Sequence, residues 1–98
     1  MALPLGGTTD IPTAGTRVQI NNTARRCLSI TLKARNGNSG SIYIGGSAVS
    51  STNGFELRVN ESVTYNFVAA GVSCQMSDFW ADTATNGNDI DWVAIVWP

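Results

Sequence analysis

The residues with the most chemical potential in this chain are four aspartates crowded into its last third, Asp78, Asp82, Asp89 and Asp91. A pair of carboxylates flanking a glycosidic bond is the machinery of its hydrolysis. Asp89 and Asp91 stand two positions apart in a strand-like stretch, which puts them on one face roughly 7 Å apart at a rise of ~3.3 Å per residue. The same region offers a second chemistry. In Asp82-Thr83-Ala84-Thr85-Asn86-Gly87 the Asp, Asn and Gly fall where a calcium loop has its first, fifth and sixth positions. Ala84 occupies the third, however, and Val93 the twelfth, where a bidentate Glu is required. Capping of the loop backbone by Asp and Asn side chains is the simpler reading. The chain has no histidine, so Ser–His–Asp and Cys–His nucleophiles are excluded together with the commonest general base at neutral pH. A single small domain also offers little cleft for a sugar ring, and no catalysis, metal or cofactor is expected.

The other reactive groups are equally sparse. Cys27 and Cys74 lie far apart, with no CxxC spacing and no histidine to complete a zinc site. They read as two reduced thiols packed as small side chains, or as one long-range disulfide in an oxidising compartment. Phe79, Trp80, Trp92 and Trp97 have faces that stack on sugars or bases, although core and interface packing also accounts for them. Arg25-Arg26, Lys33 and Arg35 are the local basic residues, read as solvated or as partners for acids across an interface. With a net charge of −1, nothing draws the chain to nucleic acid or to an anionic membrane over long range.

The elements that must position these residues are strands. The 98 residues make one domain with a modest core. Charged residues are 13 % of the chain, against roughly 25 % in an average soluble domain, so Ser, Thr, Asn and Gly must cover the surface. Met1–Gly15 carries two prolines and little periodicity and is expected to be an extended arm, lying on another subunit or on its own sheet, with residues 16–98 forming the domain proper. Val18 and Ile20 then alternate with Arg17 and Gln19. In Cys27–Arg35, Leu28, Ile30, Leu32 and Ala34 point one way, and Cys27, Ser29, Thr31, Lys33 and Arg35 the other. Ser41–Ile44 and Phe55–Leu57 form two short strands around a connection in which Asn53-Gly54 is the sharpest turn signal, because both residues tolerate positive φ. Val63, Tyr65 and Phe67 mark a further strand.

Ile90–Trp97 is apolar on both faces. Such a strand is either central and covered or part of a subunit interface. No convincing helix and no internal repeat is present. About seven short strands with regular turn signals predict an all-β fold, a single antiparallel β-sandwich or small barrel with an extended N-terminal arm. Met1–Leu5 has neither a basic n-region nor a signal-peptide apolar run, and no stretch approaches the ~20 apolar residues of a membrane span. A protein made in a cytoplasm is expected.

The run Gly40-Ser41-Ile42-Tyr43-Ile44-Gly45-Gly46, followed by Val49, Thr52-Asn53-Gly54-Phe55-Glu56-Leu57 and Asn60-Glu61-Ser62, resembles a pattern of small virion proteins of tailed bacteriophages. Phe79-Trp80-Ala81-Asp82 stands where that pattern has a later short strand. The likeness covers roughly Arg25 to Trp97. It departs at Val59-Asn60-Glu61, where the family more often has Pro-Gly-Glu.

The resemblance implies a capsid decoration (cement) protein built as a β-sandwich, made in the host bacterial cytoplasm and carried on the capsid surface, with no catalytic residues to transfer. Its partners would be the major capsid protein and copies of itself, with a homotrimer as the preferred state. Leu3, Leu5 and Ile11 of the arm and Trp92, Ile95 and Trp97 of the last strand are the expected contact residues. A tail, neck or fibre component is the alternative within the virion, and a carbohydrate-binding module using the tryptophans is the alternative outside it.

Overall fold

Alternation of apolar and polar residues, interrupted by Asn, Gly and Ser, folds this chain into strands and little else. In a computed structural model, which describes residues 3–22, 25–67 and 74–96, the strands are β1 (Leu3–Ile11), β2 (Val18–Gln19), β3 (Arg26–Ala34), β4 (Ile42–Gly45), β5 (Phe55–Leu57), β6 (Ser62–Asn66), β7 (Cys74–Gln75), β8 (Trp80–Thr83) and β9 (Asn88–Val96). A single turn of 3-10 helix, Met76–Asp78, links β7 to β8. The strands form two antiparallel sheets, one ordered β1-β9-β3-β6 with β7 also on β3, the other β2-β8-β4-β5. Their inner faces meet in one core, a β-sandwich as the sequence predicts.

The core takes Ile30, Leu32, Ile90, Ala94 and Val96 from the first sheet and Ile42, Ile44, Leu57 and Ala81 from the second. Phe79 fills one end, its ring centroid 5.6 Å from that of Tyr65 and 6.2 Å from that of Phe67. Burying each large aliphatic side chain contributes about 1.5–3 kcal/mol.

The last strand is central. β9 pairs with β3 on one edge and with β1 on the other. Of the two places open to the N-terminal arm, another subunit or its own sheet, the structure shows the second: it is an integral strand, with Leu3 opposite Val96 and Ile11 opposite Asn88. The physical reason is that an apolar strand left with a bare edge exposes a row of peptide groups, and residues 3–11 satisfy it. Gly7 fits this pairing through its missing side chain. A Cβ there would lie 3.0 Å from the indole of Trp92, so the indole can rest on β1 only at a glycine.

Two local expectations are corrected. Alternation predicts Cys27 on the face opposite Ile30, whereas it is fully buried with Ile30, and Leu28 is only half-buried. The β3–β9 register shifts between Cys27 and Ser29, and such a bulge reverses the alternation on one side of it. The second concerns Asn53-Gly54. Among the described residues other than glycine only Asn60 has positive φ, at 71°, and the positive-φ glycines are Gly15 and Gly87. Gly54 is instead a close-approach residue, since a Cβ would lie 2.7 Å from Cγ2 of Val49 and 3.2 Å from the Ile44 carbonyl oxygen. Asn60 takes the left-handed position in the Val59-Asn60-Glu61 turn, so the departure from Pro-Gly-Glu keeps a residue that tolerates that conformation.

Gly54→Ala is accordingly expected to destabilise the domain by about 1–3 kcal/mol through overpacking. Gly46→Ala, where a Cβ meets nothing within 4 Å, is expected to be neutral or to stabilise by a few tenths to ~1 kcal/mol. Urea unfolding of the two variants against the parent measures both.

Candidate functional site

The two apolar faces of β9 meet different surroundings. Its inward residues Ile90, Ala94 and Val96 are in the core, while Asp89, Asp91, Val93 and Ile95 lie on the outer face of the first sheet. Register places Pro4 opposite Ile95, Gly6 opposite Val93 and Thr31 on the other side of Val93. Val93 is 46 % exposed, a large apolar side chain in the middle of a sheet. Beside it Thr31, Lys33, Asp91, Trp92 and Val93 line a shallow depression of about 260 Å³.

Of the expected contact residues, Val93's neighbour Ile95 is half-buried on this outer face, Pro4 beside it is exposed, and Leu3 is 38 % exposed at the strand's end. Leu5 is partly buried against the core. Ile11 is fully buried, because its register opposite Asn88 turns it into the chain's own core; it offers no contact surface. Trp92 also packs inward, its Nε1 donating to Thr9 Oγ1 at 3.2 Å while that hydroxyl donates to the Ile20 carbonyl at 2.6 Å. This relay ties the first sheet to the segment after β2. Trp97 lies outside the described residues, as does the side chain of Cys74. Backbone register nevertheless sets Cys74 opposite Cys27. Burial, chiefly, pushes the Cys27 thiol above its ordinary pKa.

The aspartates do separate jobs. Asp78 Oδ2 accepts from the Gln75 backbone N–H at 2.9 Å. Asp82 is buried, and its Oδ1 accepts from the backbone N–H groups of Gly15 at 3.0 Å and Thr83 at 2.8 Å. Asn86 Oδ1 accepts from the Ala14 N–H at 2.8 Å. The calcium-like stretch thus caps loops, and among the described residues no cluster of metal-ligating side chains exists. The fully buried Asn88 extends this polar end of the sandwich. Its Nδ2 donates to Thr83 Oγ1 at 2.7 Å and Thr85 Oγ1 at 2.8 Å, and its Oδ1 accepts from the Ser39 N–H at 2.9 Å.

Asp89 and Asp91 share a face as their spacing predicts, but the structure adds Asp10, directly opposite Asp89 across the β1–β9 pair. Asp91 Oδ1 accepts from Thr8 Oγ1 at 2.6 Å and lies 3.8 Å from Arg35 Nε. Arg35 therefore pairs within its own chain. The Asp89 carboxyl is pushed up from the usual carboxylate range by desolvation first and then by its hydrogen bond with, and the charge of, Asp10. Sequence reading missed Asp10 because nothing short of the register brings the two together.

No protein-family model matches the chain, and no curated protein matches it in sequence. Solved structures share its fold. A structure of IMPa from Pseudomonas aeruginosa in complex with an O-glycopeptide superposes with a TM-score of 0.59 at 13 % identity, over 96 % of this chain and 12 % of that one. This chain thus spans a small part of the Pseudomonas protein. A Bacillus endospore appendage, described as a family of disulfide-linked pili, superposes with a TM-score of 0.52 at 14 % identity, over 98 % of this chain and 87 % of that one. The SPBc2 prophage-derived protein YomS gives a TM-score of 0.46 at 12 % identity, over 97 % and 96 % of the two chains.

The Asp10–Asp89 pair makes stability depend on pH in the direction opposite to a salt-bridged carboxylate. With the folded pKa of Asp89 above the unfolded value, the native state binds more protons between the two, and stability falls as pH rises through that window. Asp10→Asn is expected to stabilise the domain at pH 7 by about 0.2–1 kcal/mol. The gain is expected to shrink as pH drops below the raised pKa of Asp89, a difference read from thermal melts of both proteins across pH 4–8.

Proposed function

We propose that the chain is a structural virion protein, a capsid decoration protein that binds the shell through the outer face of its first sheet. The observation that carries this reading is the exposure of Val93 at the centre of that sheet, flanked by Ile95 and Pro4. Exposed apolar surface on a charge-poor domain gains about 25 cal/mol per Å² when covered. The charged residues Lys33, Asp91, Arg35 and Asp89 toward the other end of the same face supply orientation. The order of motifs from Gly40 to Asp82 adds the likeness to small phage virion proteins. The similarity in fold to a pilus-forming protein supports an assembling subunit more broadly.

The carboxylates favour the same reading. Asp82 is occupied with backbone N–H groups, and Asp91 with Thr8 and Arg35. The partner is then the major capsid protein, with copies of this chain around a threefold position of the shell as a homotrimer.

Truncating the N-terminus is a poor test, because losing β1 bares the edge of β9 and removes Ile11 from the core. Val93→Glu changes the exposed face alone. With its melting temperature within a few degrees of the parent, this variant is expected to lose co-sedimentation with shells assembled from the cognate major capsid protein. Phe55→Ser, at a residue 52 % exposed on the edge of the second sheet, is expected to retain it. Undiminished binding of Val93→Glu would contradict the assignment of the face.

A further inference from the structure

The outer face of the second sheet carries a shallow, open cleft of about 530 Å³ lined by Gly15, Thr16, Arg17, Ser47 and Trp80. Its floor is Trp80, on β8 between Gln19 of β2 and Gly45 of β4. Its walls are two loops held in place. On one side Asp82 and Asn86 hold the backbone N–H groups of Gly15 and Ala14, and Thr16 N–H donates to the Thr13 carbonyl at 3.1 Å. On the other, Val49 N–H donates to the Gly46 carbonyl at 3.1 Å and Asn53 Nδ2 to the Ala48 carbonyl at 3.2 Å, while the buried Val49 side chain abuts Gly45 and Gly54. A site whose walls are tied down loses little entropy on binding.

The hydroxyls at the other end of this sheet are bonded. Ser39, Ser41, Thr83 and Thr85 each bond within the protein. Among the described residues, the Arg17 guanidinium, the Trp80 indole N–H and the hydroxyls of Thr16 and Ser47 bond to none. Among the described residues, four donors without partners, two of them also acceptors, thus belong to the residues that line one depression. An indole stacks on the apolar face of a pyranose, hydroxyls exchange hydrogen bonds with its ring substituents, and a guanidinium fork binds a carboxylate through two parallel bonds.

The geometry points to a binding site for a carboxylated pyranose, such as a hexuronic or sialic acid residue of a glycan. A nucleotide would also stack on Trp80. The chain's net charge of −1 and the single cation in the cleft favour the sugar, since nucleic-acid binding draws its affinity from many phosphate contacts. The cleft and Val93 lie on opposite faces of the sandwich, so the site is independent of the proposed shell contact.

The test titrates the full chain, by NMR or calorimetry, with oligosaccharides ending in glucuronic acid or sialic acid, with their neutral counterparts, and with adenosine and uridine monophosphates. Saturable binding of a carboxylated sugar is expected, about tenfold tighter than that of its neutral counterpart. Arg17→Ala is expected to remove this preference. Trp80→Ala is expected to weaken binding of every sugar by about tenfold or more, and Val93→Glu to change nothing. Arg17 is exposed, so its variant is informative even if Trp80→Ala does not fold. No binding of either carboxylated sugar to the intact chain, binding unchanged in Arg17→Ala, or tighter binding of a nucleotide would overturn the assignment.

Discussion

The structure depends on giving β9 a partner on both edges. This strand is apolar on both faces from Trp92 onward, and its peptide groups stay satisfied only if β3 and β1 both bond to it. Once β1 is committed, much else follows. Ile11 enters the core, Gly7 must lack a side chain beneath the Trp92 indole, and Asp10 must face Asp89 despite their like charges. Val93 is left on the outside at the middle of the sheet. The exposed apolar surface is therefore a product of the same pairing that builds the core.

The polar residues at one end of the sandwich play a complementary part. Asp82, Asn86 and Asn88 satisfy backbone and hydroxyl groups of loops that the sheets alone cannot hold. A domain with so few charges has little ion pairing to order its surface, and side-chain hydrogen bonds do that work, at about 1 kcal/mol each where both partners are neutral and more where a carboxylate accepts. By fixing the loop from Thr13 to Thr16 over the second sheet, Asp82 also shapes one wall of the Trp80 cleft. Asp82 and Asn86, whose spacing resembles part of a calcium loop, thus act as the loop caps that the simpler reading of the sequence expects.

Period-two alternation made most strands legible in advance, and the doubly apolar stretch after Ile90 left two places open, the centre of the sheet or a subunit interface, of which the structure shows the first. The two-sheet class followed from these. What alternation does not carry is register. The bulge at Cys27–Ser29 reverses which side of β3 is buried, and no residue type there marks it. Leu3–Ile11 contains Pro4, Gly6 and Gly7, poor strand formers, and it becomes a strand because β9 requires one. Asn53-Gly54 looked like a positive-φ turn, yet Gly54 is selected by the space around Val49. Leu5 and Trp92 read from sequence as subunit or capsid contacts, but register packs both against this chain's own core. Arg17 and Trp80 share a cleft only because β2 pairs with β8.

The proposed contact with a capsid shell is the outer face of the first sheet. A reconstruction of intact virions by electron cryomicroscopy tests it most directly. The account predicts density for this sandwich on the outer shell surface, with Val93 and Ile95 turned toward the major capsid protein and the Trp80 cleft turned toward solvent. Density at the tail or neck instead, or a subunit on the shell with Val93 facing solvent, would contradict it.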